Sequence, residues 1–178
     1  MQIRILLLVR ETRLRRRMTA LLKATDAFVR SFSPERVSWD IASKVLADVV
    51  IVEEPLIPDP VSEHVRALMD QAASPALVVL SAADSAEESS VLRAAGSEAT
   101  LYTHAEDDVL GEAIAHIVEE RRELLARTVA ARRATPRPEL SDFVSTSEAM
   151  QRFMRMVRRV ADSDAPLLVT GETGVGKE

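Results

Sequence analysis

Gly171-Glu-Thr-Gly-Val-Gly-Lys177 fits the spacing G-x-x-x-x-G-K and follows the apolar stretch Pro166–Thr170, which reads as a strand. That context is the one a phosphate-binding loop requires. Its glycines let backbone amides converge on phosphate oxygens, and the lysine neutralises the terminal phosphates. The whole loop, Gly171, Glu172, Thr173, Gly174, Val175, Gly176, Lys177 and Glu178, is the candidate site for the phosphates of ATP. Glu178 departs from the common pattern, which has Ser or Thr there to reach magnesium. Histidine gives no comparable pattern, because His64, His104 and His116 are scattered without metal-ligand spacing. Cysteine is absent, which excludes disulfides and thiolate metal sites.

Five strands alternating with five helices are predicted ahead of that loop. Ile3–Val9 is apolar apart from Arg4, as suits a strand buried on both faces, and Thr12–Lys23 follows with Leu14, Met18, Leu21 and Leu22 at helical spacing. Ala27–Phe32 reads as a strand. Ser33-Pro34 then predicts a helix start, with an inner face of Val37, Ile41, Val45 and Leu46 and Trp39 as a half-buried anchor. Further strands are expected at Asp48–Val52, Ala76–Leu80 and Ala99–Thr103, with helices at Val61–Ala72, Ser85–Ala95 (stopped by Gly96) and from Asp107. Alternation at this spacing argues for an α/β fold, a flavodoxin-like five-stranded parallel sheet of order 2-1-3-4-5 with helices on both faces. Its crevice lies where the first and third strands end, so the residues after Val9 and Val52 matter most.

The last helix continues. Leu110, Ile114, Ile117, Arg121, Leu124, Thr128 and Ala131 step as heptad positions, interrupted at Arg121 and Thr128. Two outcomes are open: a dimer seam, or Leu110–Val118 packed on the sheet with the remainder a solvated arm. Arg132 to Pro138 reads as a linker, because prolines 136 and 138 cannot continue a helix. A second unit begins near Phe143. Ser145-Thr-Ser-Glu148 has capping-box spacing, and Met150, Phe153, Met154, Val157 and Val160 form one apolar face opposite Arg152, Arg155, Arg158 and Arg159. The methionines there, Met156 included, read as packing residues. The resulting division is 1–125, a linker at 126–142 with the preceding helix extending to about 131, and 143–178.

Composition is consistent with this organisation. The chain has 178 residues, 47% hydrophobic and 29% charged, with a net charge of −5. Charge is segregated: residues 1–30 carry eight basic and two acidic groups, and residues 31–120 carry four and eighteen. Arg13, Arg15, Arg16 and Arg17 fall in one helical stretch without interleaved aromatics, so a solvated helix face is favoured over a nucleic-acid surface. The longest apolar runs are far too short to span a bilayer, so a cytoplasmic protein without membrane contact is expected.

Ser145–Glu178 closely resembles the opening of the AAA+ domain in sigma-54-dependent transcriptional activators (NtrC-like bacterial enhancer-binding proteins). The phosphate loop of that family typically reads G-E-[ST]-G-[TV]-G-K-E, matched by Gly171–Glu178, and its Ser-x-Ala-Met helix start is matched by Ser147-Glu-Ala-Met150. The resemblance covers roughly the last 35 residues. It implies a ring-shaped ATPase that uses ATP and Mg2+ to remodel sigma-54 RNA polymerase from enhancer DNA. It also implies downstream elements that this chain lacks, so the chain is expected to be truncated and inactive as an ATPase by itself.

By pattern and order the first 125 residues look like the receiver domain such activators often carry. A working receiver places two acids after the first strand, an aspartate after the third, Ser or Thr after the fourth and lysine after the fifth. The acids hold magnesium and the aspartate accepts a phosphoryl group. Here the acidic pair is replaced by Arg10-Glu11. The acceptor position falls on Glu53 or Glu54, Ser81 keeps the hydroxyl position, and Thr103-His104 stands where Lys-Pro is usual. Phosphotransfer is therefore not expected of this degenerate pocket: Arg10, Glu11, Glu53, Glu54, Ser81 and Thr103. Arg10 with Glu53 and Glu54 is expected either as a standing ion pair or as three solvated charges. The reading is a regulatory part that controls ring assembly by contact and dimerises through its last helix. The alternatives are a stand-alone receiver-like interaction module in two-component signalling, and a small P-loop ATPase or kinase.

Overall fold

The computed structural model describes residues 2–71, 74–134 and 147–161. Chain contacts divide it into two compact units, Met1–Arg132 and Arg133–Glu178.

In the first unit the strands are β1 (Ile3–Leu8), β2 (Ala27–Ser31), β3 (Val49–Glu53), β4 (Ala76–Ser81) and β5 (Ala99–Tyr102). All neighbouring pairs are parallel and the order is β2-β1-β3-β4-β5, the topology the alternation predicted. The central strands β1, β3 and β4 are apolar almost throughout because both of their faces are covered. On one face Ile5, Leu7, Ile51 and Val78 pack with Leu14, Met18 and Leu22 of α1 (Thr12–Leu22) and with Ile114, Ile117 and Val118 of α5 (Asp107–Ala134). On the other face Leu6, Leu8, Val50, Val52, Leu77 and Val79 meet α2 (Ile41–Lys44), α3 (Val61–Met69) and α4 (Ala86–Ala95). Ser85 caps α4 through its hydroxyl, and Gly96 ends it in the left-handed region at φ 111°.

The helix expected from Pro34 to about Leu46 does not form. A turn follows Ser33, whose carbonyl accepts the Arg36 N–H at 2.9 Å, and only Ile41–Lys44 is helical. Val37 is buried, Trp39 and Ile41 pack against the same core, and Leu46 is 65% exposed. On one continuous helix Val37 and Trp39 would point about 200° apart, so both can turn inward only if the helix is broken. The helix expected to reach Ala72 ends at Met69.

The heptad seam is also corrected in its first half. Leu110, Ile114 and Ile117 are 2%, 2% and 9% exposed, covered within their own unit rather than left open for a second copy. Val118, buried beside them, completes an i, i+4, i+7, i+8 face, the wider stripe of a helix packed on a sheet. In the second half Leu124, 52% exposed, is the large apolar seam residue that remains accessible, and Thr128 and Ala131 are exposed as well. The helix continues past the predicted limit of 131 to Ala134, through the start of the expected linker.

In the second unit α6 spans Glu148–Ala161. It begins directly after Ser147, and Ser145, the first residue of the expected capping box, lies outside the described residues. Met150, Phe153 and Met156 are exposed. The predicted strand at 166–170 and the loop Gly171–Glu178 lie outside the described residues.

Candidate functional site

At the carboxyl ends of the strands a cleft of about 700 Å³ opens between the β1–α1, β3 and β5–α5 connections. Glu11, Arg13, Leu14, Arg17, Glu53 and Thr103 are among its walls, with His104, Pro55, Leu80 and Ala82. Glu53 is the last residue of β3 and lies in the cleft. Glu54 opens a short 3₁₀ turn and is not part of the lining. Of the two candidates for the position after the third strand, the geometry brings Glu53 to the crevice.

The expected ion pair between Arg10 and this carboxylate does not form. Glu53 Oε2 accepts instead the backbone N–H groups of Arg10 at 2.8 Å and Glu11 at 3.2 Å. Glu11 points its own carboxylate at the start of α1, accepting the N–H groups of Arg13 at 2.8 Å and Leu14 at 2.6 Å. It thereby satisfies the first free amides of the helix, where a negative charge is also favoured by the helix dipole. Both acids of the cleft are thus hydrogen-bonded to backbone amides, Glu53 to those of the β1–α1 loop and Glu11 to those of the first turn of α1. Among the described residues no cluster of three His, Asp or Glu side chains is gathered for a metal ion.

Ser81, the hydroxyl candidate, is 1% exposed and accepts the Ala83 N–H at 3.1 Å, so it shapes the turn after β4 and is not one of the cleft's walls. Thr103 extends the β4–β5 pairing by donating its N–H to the Ser81 carbonyl at 2.8 Å, and its hydroxyl lies 3.3 Å from His104 Nδ1. The His104 ring is 5.2 Å from that of Tyr102.

Sequence reasoning passed over Arg17. Its guanidinium pairs with Asp107 and donates to the carbonyls of Thr103 and Ala105. Arg15, two residues earlier, donates to the Phe32 carbonyl at 2.9 Å. The basic stretch of α1 therefore ties down loops on two sides of the cleft end rather than serving only as a solvated face. A helical arginine read by periodicity carries no signal for an acceptor some ninety residues away.

Residues 143–178 match the family model of the sigma-54 interaction domain. No curated protein matches the chain in sequence. Among solved structures the chain is similar to the chemotaxis response regulator CheY4 of Vibrio cholerae, at 18% identity and a TM-score of 0.54, covering 66% of this chain and 99% of that one. A putative response regulator from Chloroflexus aurantiacus is similar at 15% identity and TM-score 0.56, covering 67% and 99%. The signal receiver domain of a DNA-binding response regulator from Colwellia psychrerythraea matches at 16% and 0.56, covering 66% and 99%. The first unit thus has the receiver fold, and a stretch that matches the sigma-54 interaction domain model follows it in the same chain.

Proposed function

We propose that this chain is the regulatory part of a sigma-54-dependent transcription activator, in which a receiver-fold domain controls assembly of an ATPase ring without being phosphorylated. The observation that carries the reading is Glu53: it stands at the end of β3 with one carboxylate oxygen already bonded to the Arg10 and Glu11 amides. Receiver phosphotransfer needs an aspartate there, a second acid on the preceding loop and a lysine after β5. Glu53, Arg10 and Thr103 stand at those positions.

Within this reading Gly171–Glu178 binds the phosphates of ATP with Mg2+ in the complete protein, which acts on sigma-54 RNA polymerase from enhancer DNA. The domains follow the division 1–125, 126–142 and 143–178. Two chains associate through the exposed part of α5 around Leu124, while Leu110–Ile117 stay with the sheet. Among the described residues no helix is long and apolar enough to cross a membrane. The proposed place of action is the cytoplasm, where the polymerase and its promoters are.

A sigma-54-dependent reporter driven by the complete protein tests the proposal. Deleting the receiver fold should change output, whereas removing acetyl phosphate and the histidine kinases that phosphorylate receivers, with ATP left in place, should leave it unchanged. Output that follows phosphodonor supply would overturn the reading.

A further inference from the structure

We propose that Arg17 is a built-in latch that fixes the β5–α5 loop, and so sets the shape of the cleft wall that a bound phosphoryl group would otherwise have to order. This rests on the reading above, that the cleft works without phosphorylation, for its regulatory meaning; the latch itself rests on geometry.

All three guanidinium nitrogens of Arg17 are engaged, and all three acceptors belong to one connection. Nε meets Asp107 Oδ1, Nη1 the Thr103 carbonyl and Nη2 the Ala105 carbonyl. β5 ends at Tyr102 and α5 begins at Asp107, so the three contacts span the whole loop between them. A planar fork of fixed donors suits three diverging acceptors, whereas an ammonium would favour one at the expense of the others. The base of the latch is rigid: Leu14 and Met18, on either side of Arg17 in α1, are 9% and 0% exposed. The loop's other backbone bonds, from Ala105 N–H to Tyr102 at 3.1 Å, from Thr103 N–H to Ser81 at 2.8 Å and from Leu110 N–H to Glu106 at 3.0 Å, tie it to itself, to β4 and to α5, and none of them reaches α1. Ala105 and Asp107 are held to α1 by Arg17.

The loop also connects the cleft to β5. Thr103 and His104 line the cleft, and the His104 ring rests beside Tyr102. Releasing Arg17 frees the Thr103 and Ala105 carbonyls together with the Asp107 side chain at the start of α5. The loop can then swing, opening the cleft wall and parting the two rings.

Hydrogen exchange on the whole chain, with no phosphodonor present, tests this. In Arg17→Met, which keeps an apolar stem and loses the donors, the Thr103 and Ala105 amides, the two in the loop that donate to backbone carbonyls, should exchange at least about tenfold faster, while Leu6, Ile51 and Val79 in the sheet keep wild-type protection. The Tyr102 ring resonances should shift as His104 leaves, a change that uniform loosening would not give. Arg17→Lys should fall between the two. Loop exchange within twofold of wild type, or a rise shared equally by the sheet, overturns the proposal. If Arg17→Met does not fold, wild-type loop protection in Arg17→Lys overturns it as well. A phosphoryl adduct found by mass spectrometry would defeat the reading of the cleft while leaving the exchange result untouched, so the two failures are distinguishable.

Discussion

Arg4 closes on Asp48 three times. Its Nε and Nη2 donate to the two carboxylate oxygens at 2.9 and 2.7 Å, and its backbone N–H donates to Oδ2 at 2.8 Å. Asp48 is 8% exposed and precedes β3, so the pair ties the start of β3 to β1 at the end of the sheet opposite the cleft. Burial pushes the Asp48 carboxyl upward. The Arg4 hydrogen bonds and charge, with the charge of Arg121, outweigh it and leave the group below the ordinary aspartate value.

A carboxylate depressed in the folded state contributes stability above its unfolded value, near 4, and loses that contribution as pH falls through the lower folded value. Asp48→Asn should therefore cost about 1–2 kcal/mol at pH 7, with Arg4 partly solvated and the amide retaining some of the bonds. The difference between wild type and variant in urea unfolding should shrink below about pH 4. A difference that stays constant between pH 7 and pH 3 would refute this account of the pair.

Acetyl phosphate should leave the chain unmodified. The stronger form of the prediction is that Glu53→Asp does not restore acceptance, because Arg10 supplies an amide but no second carboxylate, and Thr103 stands where a lysine would stabilise the phosphoryl oxygens. Intact-mass measurement of both proteins decides it; an adduct on residue 53 of either is the contrary result.

Association is expected to depend on Leu124 and not on Ile117. Leu124→Asp places a charge on an exposed helix position, so the sheet should stay folded while any dimer dissociates. Ile117→Asp buries a carboxylate in the core shared by α5 and the sheet, which should cost about 3–5 kcal/mol and unfold much of the domain. Sedimentation equilibrium and circular dichroism separate these effects. A wild-type chain that remains monomeric at high concentration removes the dimer from the proposed function.

Gly96→Ala should destabilise the first unit by about 1–3 kcal/mol. The residue sits at φ 111°, and a Cβ built there would lie 2.8 Å from Met69 Cγ at the end of α3. Thermal unfolding measures the loss. Truncating Met69 to alanine in the same chain should relieve the steric part but leave the conformational part.

Much of the fold was legible because apolar periodicity reports burial directly. Leu6, Val50 and Val79 lie in runs that only a doubly covered strand needs, and Ser85 and Gly96 marked the ends of α4. The misread segment, 34–46, failed for a definite reason: Val37, Ile41, Val45 and Leu46 fit a helical face, but the inward turn of Trp39 is incompatible with it. The cleft opens beyond the strand ends, and Glu11 and Glu53 are among its walls while Arg10, Glu54 and Ser81 are not. The bonds inside it were not legible, since Arg10 uses its amide where its charge was expected to act. Arg17 was missed because an arginine seeking a backbone carbonyl leaves no pairing pattern in the sequence.

Two adjacent residues of α5 reach to different parts of the unit. Arg121 donates to the Ser74 carbonyl, just before β4, and Arg122 donates to the Asp26 carbonyl, just before β2, at 3.3 Å. Moored on both sides in this way, the helix cannot roll about its own axis without breaking one tether or the other. It can still rock in the plane between them. A residue twelve positions beyond Arg122 lies about 18 Å further along the axis, so a rocking of about 10° at the moorings displaces it by about 3 Å. Any message carried along α5 would thus travel as a sideways sweep of its far end, with little twist.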